Sequence, residues 1–516
     1  MKRFIAFVIL IAAGLFIQSG YINEYPSHIH AWAEQDHYAL ALGFIDNHFD
    51  FLHPQTNIYN KQFPGWWKEA YDTTVTAADC PIHEYCAALL MKLFHRTSPW
   101  VFRLWTWLWG ILGLFYLFKI GFKLTQDWAK ALLVAFIALT SPVFAYYLNG
   151  FLPGIPAFAL SAIGLWCYLC YLDNNSKHRF RLSVVFFTLA MLIRTTFAIG
   201  LIAMLCYEML RIFRKESTFL DKLPVVILSF TAFLASYLWN RQLRLTYGSI
   251  FLSSLLPAES LQDAKELLVE AWRNWGTQYF QPLHYWIIII LVISGFLISR
   301  FKDLKISRFK DSNTGKRPLS LWWLPLIQVF GCLLFTIAMM QQIQYHDYYF
   351  IDTLFLPLLV LVTLVLRALP KPRHLLVRGA EYAVLAVLCV MMVHNVVNTQ
   401  KTRRAMENYA LISYNNFKDS DLLLDDLGMA RDAKVLCLYG YAQNGPFIQM
   451  GRKGYIVMED NDELLEAAMQ WDMDCIVIEN EKYANYFEKR KELFSGLKKI
   501  GGNDKISVFL PPVSDN

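Results

Sequence analysis

What most limits the folds open to this chain is a series of apolar runs, many of them roughly 17 to 22 residues long, the length at which one helix crosses a hydrocarbon core. They fall at about 99–118, 131–148, 155–172, 182–193, 196–210, 223–239, 285–299, 320–340, 351–366 and 379–397, after a first run at Phe4–Gln18. The two runs flanking Arg194 are short and read either as two short spans or as one span bent there. The count is about eleven transmembrane helices. Only 17% of the residues are charged, against about 25% in a soluble protein. The net charge of +6 is explained by loop placement and gives no nucleic-acid signal. The first run follows Met1-Lys2-Arg3 as in a signal peptide, but no small-x-small cleavage site follows, so it reads as a retained span.

Charge sets the orientation. Basic residues cluster at Lys2–Arg3, Lys119–Lys130, Lys177–Arg181, Arg211–Lys222, Arg300–Arg317 and Lys371–Arg378. With eleven spans all of these fall on one side, and positive loops stay in the cytoplasm. The N-terminus is then inside, and residues 21–98, 240–284 and the tail from about 399 are outside. The expected division is a transmembrane domain over 1–398, with its catalytic elements in the loop 21–98 and a second large loop at 240–284, followed by an extracytoplasmic domain over 399–516. Amphipathic runs at Tyr38–Phe49 and Ile82–Phe94 suit helices lying on the membrane, and Asn57–Tyr71, with Trp66 and Trp67, suits the interface. The tail alternates strand and helix: strands at Ala433–Tyr439, Asp474–Ile478 and Ile506–Leu510, helices at Asp462–Trp471 and Tyr483–Lys499. This predicts a small α/β domain. Its Tyr439–Gly445 segment lacks the spacing of a phosphate-binding loop.

A long polar first loop in a chain of many spans points to an enzyme at the outer membrane face. Glu34 and Asp36 stand among Trp32, His37 and Tyr38, where apolar neighbours raise a carboxylate's affinity for protons and suit it to general-base work. Asp79 precedes Pro81 and is expected to cap a helix starting there, with His83 and Glu84 in its first turn. Asp79 and His83 are also metal-ligand types, though this spacing is a weak metal signal. Tyr345, His346 and Asp347 stand at the junction of two spans, where ionisable groups are costly and often functional. Arg194, between its two short runs, is placed to grip a phosphate in bidentate fashion. Lys61, Lys68, Arg241 and Arg244 are weaker phosphate candidates. Cys80 and Cys86 share the first loop, but a helical spacing of six does not bring their side chains together.

This arrangement resembles the C-type integral-membrane glycosyltransferases that use polyprenyl-phosphate sugars, above all the protein O-mannosyltransferase and lipid A aminoarabinose transferase families. The resemblance lies in topology over the first 400 residues or so and in four elements. These are Glu34-Gln35-Asp36-His37-Tyr38 after the first span, Asp79-Cys80-Pro81 opening the next helix, Arg194 at the end of a short span, and His346 before Leu356-Pro357. His37 stands where those families carry Arg, and Cys80 where they carry Lys. The resemblance implies Asp36 or Glu34 as catalytic base, Asp79 supporting the site or a metal, and Arg194 and His346 holding the lipid phosphate. Tyr38, His37, His83, Glu84 and Tyr345 complete the expected substrate site. The implied protein is an inverting glycosyltransferase of the bacterial inner membrane. It takes its sugar from a polyprenyl-phosphate donor in the lipid and passes it to an extracytoplasmic acceptor (protein, lipid A or another glycan). It requires no certain cofactor, and a divalent metal is compatible with it. The competing class is a flippase of lipid-linked sugars, which calls for internal pseudo-symmetry and charges near the bilayer midplane; neither is clear in this sequence.

Overall fold

The computed structural model describes residues 2–65, 67–301, 319–370, 375–406, 408–482, 489–494 and 496–511. Trp66 and the basic residues Lys302, Lys305, Arg308, Lys310, Lys316, Arg317, Lys371 and Arg373 lie outside them. The chain opens with α1 (Lys2–Gln18), α2 (Ala31–Asp46), α3 (Ile82–Phe94), α4 (Pro99–Thr125), α5 (Trp128–Leu139), α6 (Pro142–Tyr147) and α7 (Gly154–Asn174). It continues through α8 (Lys177–Ile193), α9 (Ala198–Phe213), α10 (Leu223–Tyr247), α11 (Leu261–Tyr279), α12 (Pro282–Phe301) and α13 (Trp323–Ala338). Next come α14 (Met340–Ile343), α15 (Tyr349–Asp352), α16 (Phe355–Ala368), α17 (Leu375–Ala405), α18 (Tyr409–Phe417) and α19 (Ser420–Asp426). The tail holds β1 (Lys434–Leu438), α20 (Gly445–Met450), β2 (Lys453–Val457), α21 (Asp462–Ala468), β3 (Cys475–Glu479), β4 (Lys498–Gly502) and β5 (Ile506–Leu510).

Among the described residues five helices are long and apolar enough to cross a membrane: Pro99–Thr125, Gly154–Asn174, Thr195–Phe213, Leu223–Tyr247 and Leu376–Ala405. Most of the other apolar runs form shorter helices, so helix length does not by itself give eleven spans. The run at 131–148 is divided because Pro142, at the start of α6, donates no backbone bond to continue α5. Arg194 also marks a break, with φ −148° and ψ 108° between α8 and the next turn.

The chain folds into two compact units. The first comprises residues 1–22, 103–236 and 254–402. Its helices approach closely where small residues meet: a Cβ at Gly113 would lie 2.9 Å from the Ala159 Cα. A buried carboxylate, Glu208, accepts hydrogen bonds from the Tyr168 and Tyr171 hydroxyls at 2.6 and 2.7 Å and from Arg211 at 2.9 Å, tying α7 to α9.

The second unit is assembled from residues 23–102, 237–253 and 403–516. Its sheet runs β2-β1-β3-β5-β4, with β1 parallel to β2 and β3, and β5 antiparallel to β3 and β4. Alternate residues bury both faces. Val435, Cys437, Ile456, Val477 and Val508 meet Leu40, Ile58, Trp67 and Phe417 on one side, and Leu436, Leu438, Val457, Ile476 and Ile478 meet Leu464 and Leu465 on the other. The outer edge of β2 is covered by the first loop. Tyr59 N–H donates to the Gly454 carbonyl at 2.8 Å, Gly454 N–H donates to Asn57 at 3.0 Å, and the Asn60 side chain bonds both backbone groups of Ile456. An exposed strand edge is thereby removed.

Several expectations are corrected here. Glu34 and Asp36 are not in a loop but in the first turns of α2, which buries eleven of its sixteen residues and so is a core helix. The cap of α3 is Pro81, without a side-chain cap bond, because the helix starts one residue later than the Asp79 reading required. Trp67 is 5% exposed and inside unit 2, where its indole N–H donates to Gln443 Oε1 at 3.3 Å. In the tail, Lys498–Gly502 is a strand, and of the expected last helix Lys489 and Lys491–Phe494 are helical among the described residues, residues 483–488 and 495 being outside them. The strand β2 was not expected.

At Gly454 a Cβ would lie 1.8 Å from the Val435 carbonyl oxygen. Gly454→Ala is therefore expected to separate β1 from β2 and cost unit 2 about 3–5 kcal/mol. Limited proteolysis of the tail at rising urea concentration would show cleavage at lower urea than in wild type.

Candidate functional site

In unit 2 the centre of interest is Asp36, on the second turn of α2 and 2% exposed. Gln443 Nε2 donates to its Oδ2 at 3.0 Å and Asn444 Nδ2 to its Oδ1 at 2.8 Å. Both amides are themselves fixed, Gln443 by Trp67 and Asn444 by the Asn57 N–H at 3.2 Å. Burial pushes the Asp36 carboxyl up to about 7, against the opposing pull of the Asn444 and Gln443 hydrogen bonds and the Lys61 charge. A carboxylate held at neutrality is suited to take a proton at physiological pH. Lys61 is 1% exposed. Its Nζ donates to Thr56 Oγ1 and to the carbonyls of Ile58 and Thr74. These contacts use the three N–H bonds, so the weak phosphate reading of Lys61 is not supported. Burial pushes its ammonium well below its usual range, joined by repulsion from Lys453 and opposed by Asp36.

The other expected residues of this unit are spread along α2 and α3. His37 Nδ1 and Glu84 Oε1 are 2.5 Å apart and both buried, with the His37 ring stacked on Phe251 at 4.9 Å. Tyr38 donates its hydroxyl to the Thr97 carbonyl and meets Phe102 edge-on. His83, 1% exposed, also meets Phe102 edge-on at 4.9 Å. Glu34 is 3% exposed, one turn before Tyr38, and Asp79 sits half-buried in the bend before α3. Among the described residues no group of three or more His, Cys, Asp or Glu side chains is gathered to hold a metal.

Burial alone would raise Glu84, but the His37 hydrogen bond and the charges of His37 and His83 hold its carboxyl below the ordinary 4.5. A depressed carboxyl contributes stability above its unfolded value and loses it as pH falls through the lower folded value. Glu84→Gln is expected to cost about 1–3 kcal/mol at pH 7 and to remove the part of the melting-temperature loss seen below about pH 4.5. Melting curves from pH 3 to 7 test this.

Unit 1 holds the remaining expected residues. Arg194 Nε donates to Asp352 Oδ2 at 2.8 Å, and its guanidinium lies 5.6 Å from the ring centres of Tyr348 and Tyr349. The Asp352 side chain is only 2% exposed. A Cβ at Gly154 would come within 2.5 Å of Asp352 Oδ1, so the start of α7 is bare where the carboxylate sits. Asp347, fully buried, accepts from the Tyr147 hydroxyl at 2.7 Å. His346 Nδ1 lies 3.0 Å from the Gln342 carbonyl, and Tyr345 is 61% exposed. Sequence reasoning missed Asp352, although a lone acid within the apolar stretch 350–366 is a signal of the expected kind. It also missed Gln443 and Asn444, whose segment carries no recognisable pattern.

Residues 78–239 match the family model described as dolichyl-phosphate-mannose-protein mannosyltransferase. No curated protein matches the chain in sequence. In fold, the chain is similar to ArnT from Cupriavidus metallidurans, solved bound to undecaprenyl phosphate, with a TM-score of 0.54, 11% identity and 98% of each chain covered. It is also similar to the Archaeoglobus fulgidus oligosaccharyltransferase, solved with zinc and sulfate, with a TM-score of 0.53, 13% identity, and 98% of this chain and 73% of that one covered. The chain thus has the helical fold of the C-type membrane glycosyltransferases, with a small C-terminal sheet, and over residues 78–239 it is similar in sequence to the mannosyltransferase family.

Proposed function

We propose that the protein is an inverting glycosyltransferase that moves a sugar from a polyprenyl phosphate to an extracytoplasmic acceptor. The observation that carries this is Asp36, a buried carboxylate poised near neutral pH in a chain that shares its fold with ArnT over 98% of both lengths. In the reaction the Asp36 carboxylate takes the proton of the acceptor nucleophile as that atom bonds to the anomeric carbon. The bond from that carbon to the phosphate oxygen breaks, and its electron pair leaves with polyprenyl phosphate. A cation facing that phosphate stabilises the charge that develops; Arg194 takes this role, with Tyr345 and His346 shortly before its partner Asp352 in sequence. Glu34 and Asp79 act as supporting acids. His37, Glu84, His83 and Tyr38 position α2 and α3.

The orientation follows from two supports. The basic loops favour a cytoplasmic N-terminus. The three segments of unit 2 can pack together only if they emerge on one side, which an even number of crossings between successive segments satisfies. Unit 2 is then extracytoplasmic, and the host membrane is a bacterial inner membrane. The test is release of labelled sugar from polyprenyl-phosphate donors in membranes carrying wild type or Asp36→Asn. Donor consumption by wild type is expected. Labelled lipid that crosses the bilayer without being consumed would replace the enzyme with a flippase.

A further inference from the structure

The cations along one side of unit 1 are not all answered by acids. Lys123 pairs with Asp173, and Lys177 with Asp221 at 3.6 Å. Lys222 and Arg211 share Glu208 at 3.5 and 2.9 Å. Arg3 of α1, Lys119 of α4 and Arg179 of α8 make no ion pair among the described residues, yet they converge. Lys119 Nζ lies 3.5 Å from the centre of the Trp166 ring and 4.0 Å from that of Tyr116. The Arg179 guanidinium lies 5.2 Å from the same Trp166 ring, and that of Arg3 lies 6.0 Å from the Phe122 ring. The charges of Arg3 and Arg179 both act on Lys119. Aromatic faces attract each cation, but they leave the mutual repulsion of three positive charges unanswered. An anion between them would relieve it.

The depth of the cluster selects the source of that anion. Lys119 stands about 9 Å inside the end of α4 at Thr125, and Trp166 about 12 Å inside the end of α7 at Asn174. Both helices are long and apolar enough to cross a membrane. A dissolved anion would shed its water to reach that depth, whereas a lipid phosphate is held at the interface by its own acyl chains. A choline or ethanolamine head group would bring a fourth positive charge to the cluster, so an anionic head group fits better. We propose that Arg3, Lys119 and Arg179 bind the phosphodiester of an anionic phospholipid, with Lys119 and Arg179 held in place by the Trp166 ring that they share. The two guanidiniums present forked donors to the phosphate oxygens and Lys119 a point charge. In the orientation favoured by the basic loops, this lipid belongs to the inner leaflet.

The test is thermal unfolding of the full-length protein in detergent, titrated with phosphatidylglycerol, with phosphatidylcholine or with inorganic phosphate. A ligand that binds only the folded state raises the melting temperature. Phosphatidylglycerol is expected to do so, and the other two are not. Lys119→Met and Arg179→Gln should each weaken the apparent affinity for phosphatidylglycerol about fivefold, with the melting temperature in detergent alone unchanged. Arg181→Gln is the control. It removes an exposed charge two positions further along α8, where residues do not share a face, and should leave the affinity as it is. Equal stabilisation by phosphatidylcholine or by inorganic phosphate would overturn the proposal, as would an equal loss of affinity in Arg181→Gln, which is what diffuse attraction to a charged surface gives. If Lys119→Met does not fold, the comparison of Arg179→Gln with Arg181→Gln decides.

Discussion

Asp36→Asn is expected to lower sugar transfer about a thousandfold, within the range a general base supplies, while the protein stays folded. The wild-type rate should rise with pH through about 7, where the carboxyl ionises, and the residual rate of the variant should not follow that curve. Stability should move differently. Because the folded-state value is raised from 3.8, the stability that Asp36 contributes is whole below about pH 4 and is lost as pH rises through about 7. The total is on the order of 4 kcal/mol. Asparagine copies the neutral form, but one end of its amide is a donor and faces either Gln443 or Asn444, which are donors too, so one hydrogen bond worth about 1 kcal/mol is lost. The variant should therefore melt slightly lower than wild type below about pH 4 and higher than wild type at pH 8. If Asp36 only straps α2 to the segment 443–444, the result is the reverse: transfer per folded molecule unchanged and melting lowered at every pH.

Arg194→Ala is the second large effect. It strands the Asp352 carboxylate, 2% exposed, without the guanidinium at 2.8 Å. Losing one partner of a buried ion pair costs about 3–5 kcal/mol. The same principle predicts that Arg194→Met combined with Asp352→Leu regains most of that stability, since an apolar pair of similar volume has no charge to desolvate. Transfer and binding of polyprenyl phosphate should remain lost in the double variant, because the guanidinium proposed to meet the phosphate is gone. Thermal unfolding and titration with undecaprenyl phosphate separate the two roles. Lipid binding restored along with stability would reduce Arg194 to a brace.

The parts of this molecule that could be read from sequence are those fixed by local physics. Long apolar runs demand helices, and the break at Arg194 follows from an ionisable residue between two of them. Strands β1, β3 and β5 are short β-branched and apolar runs, expected within one or two residues of where they lie. β2 and β4 were not expected because Lys453-Gly454 and Lys498-Lys499-Ile500-Gly501-Gly502 carry weak strand propensity, and their pairing is set by neighbours far away in the chain. At the candidate site the acid was legible and its company was not. Gln443 and Asn444 look like turn residues, and only the fold brings them to Asp36. His37 and Glu84 were expected to face substrate, but the structure pairs them with each other, which no one-dimensional spacing of 47 residues could show.

The Asn444–Asp36 bond joins residues 408 positions apart. A ribosome adding roughly 5–20 residues each second therefore leaves Asp36 without its amide partners for about 20 to 80 seconds. During that interval the acid has no amide cradle, and under the transferase reading the chain does not yet transfer sugar. A chain cut short by a nonsense codon or proteolysis before residue 443 never leaves that state. Under the transferase reading, activity thus reports that synthesis passed residue 444, and chains truncated before it transfer no sugar.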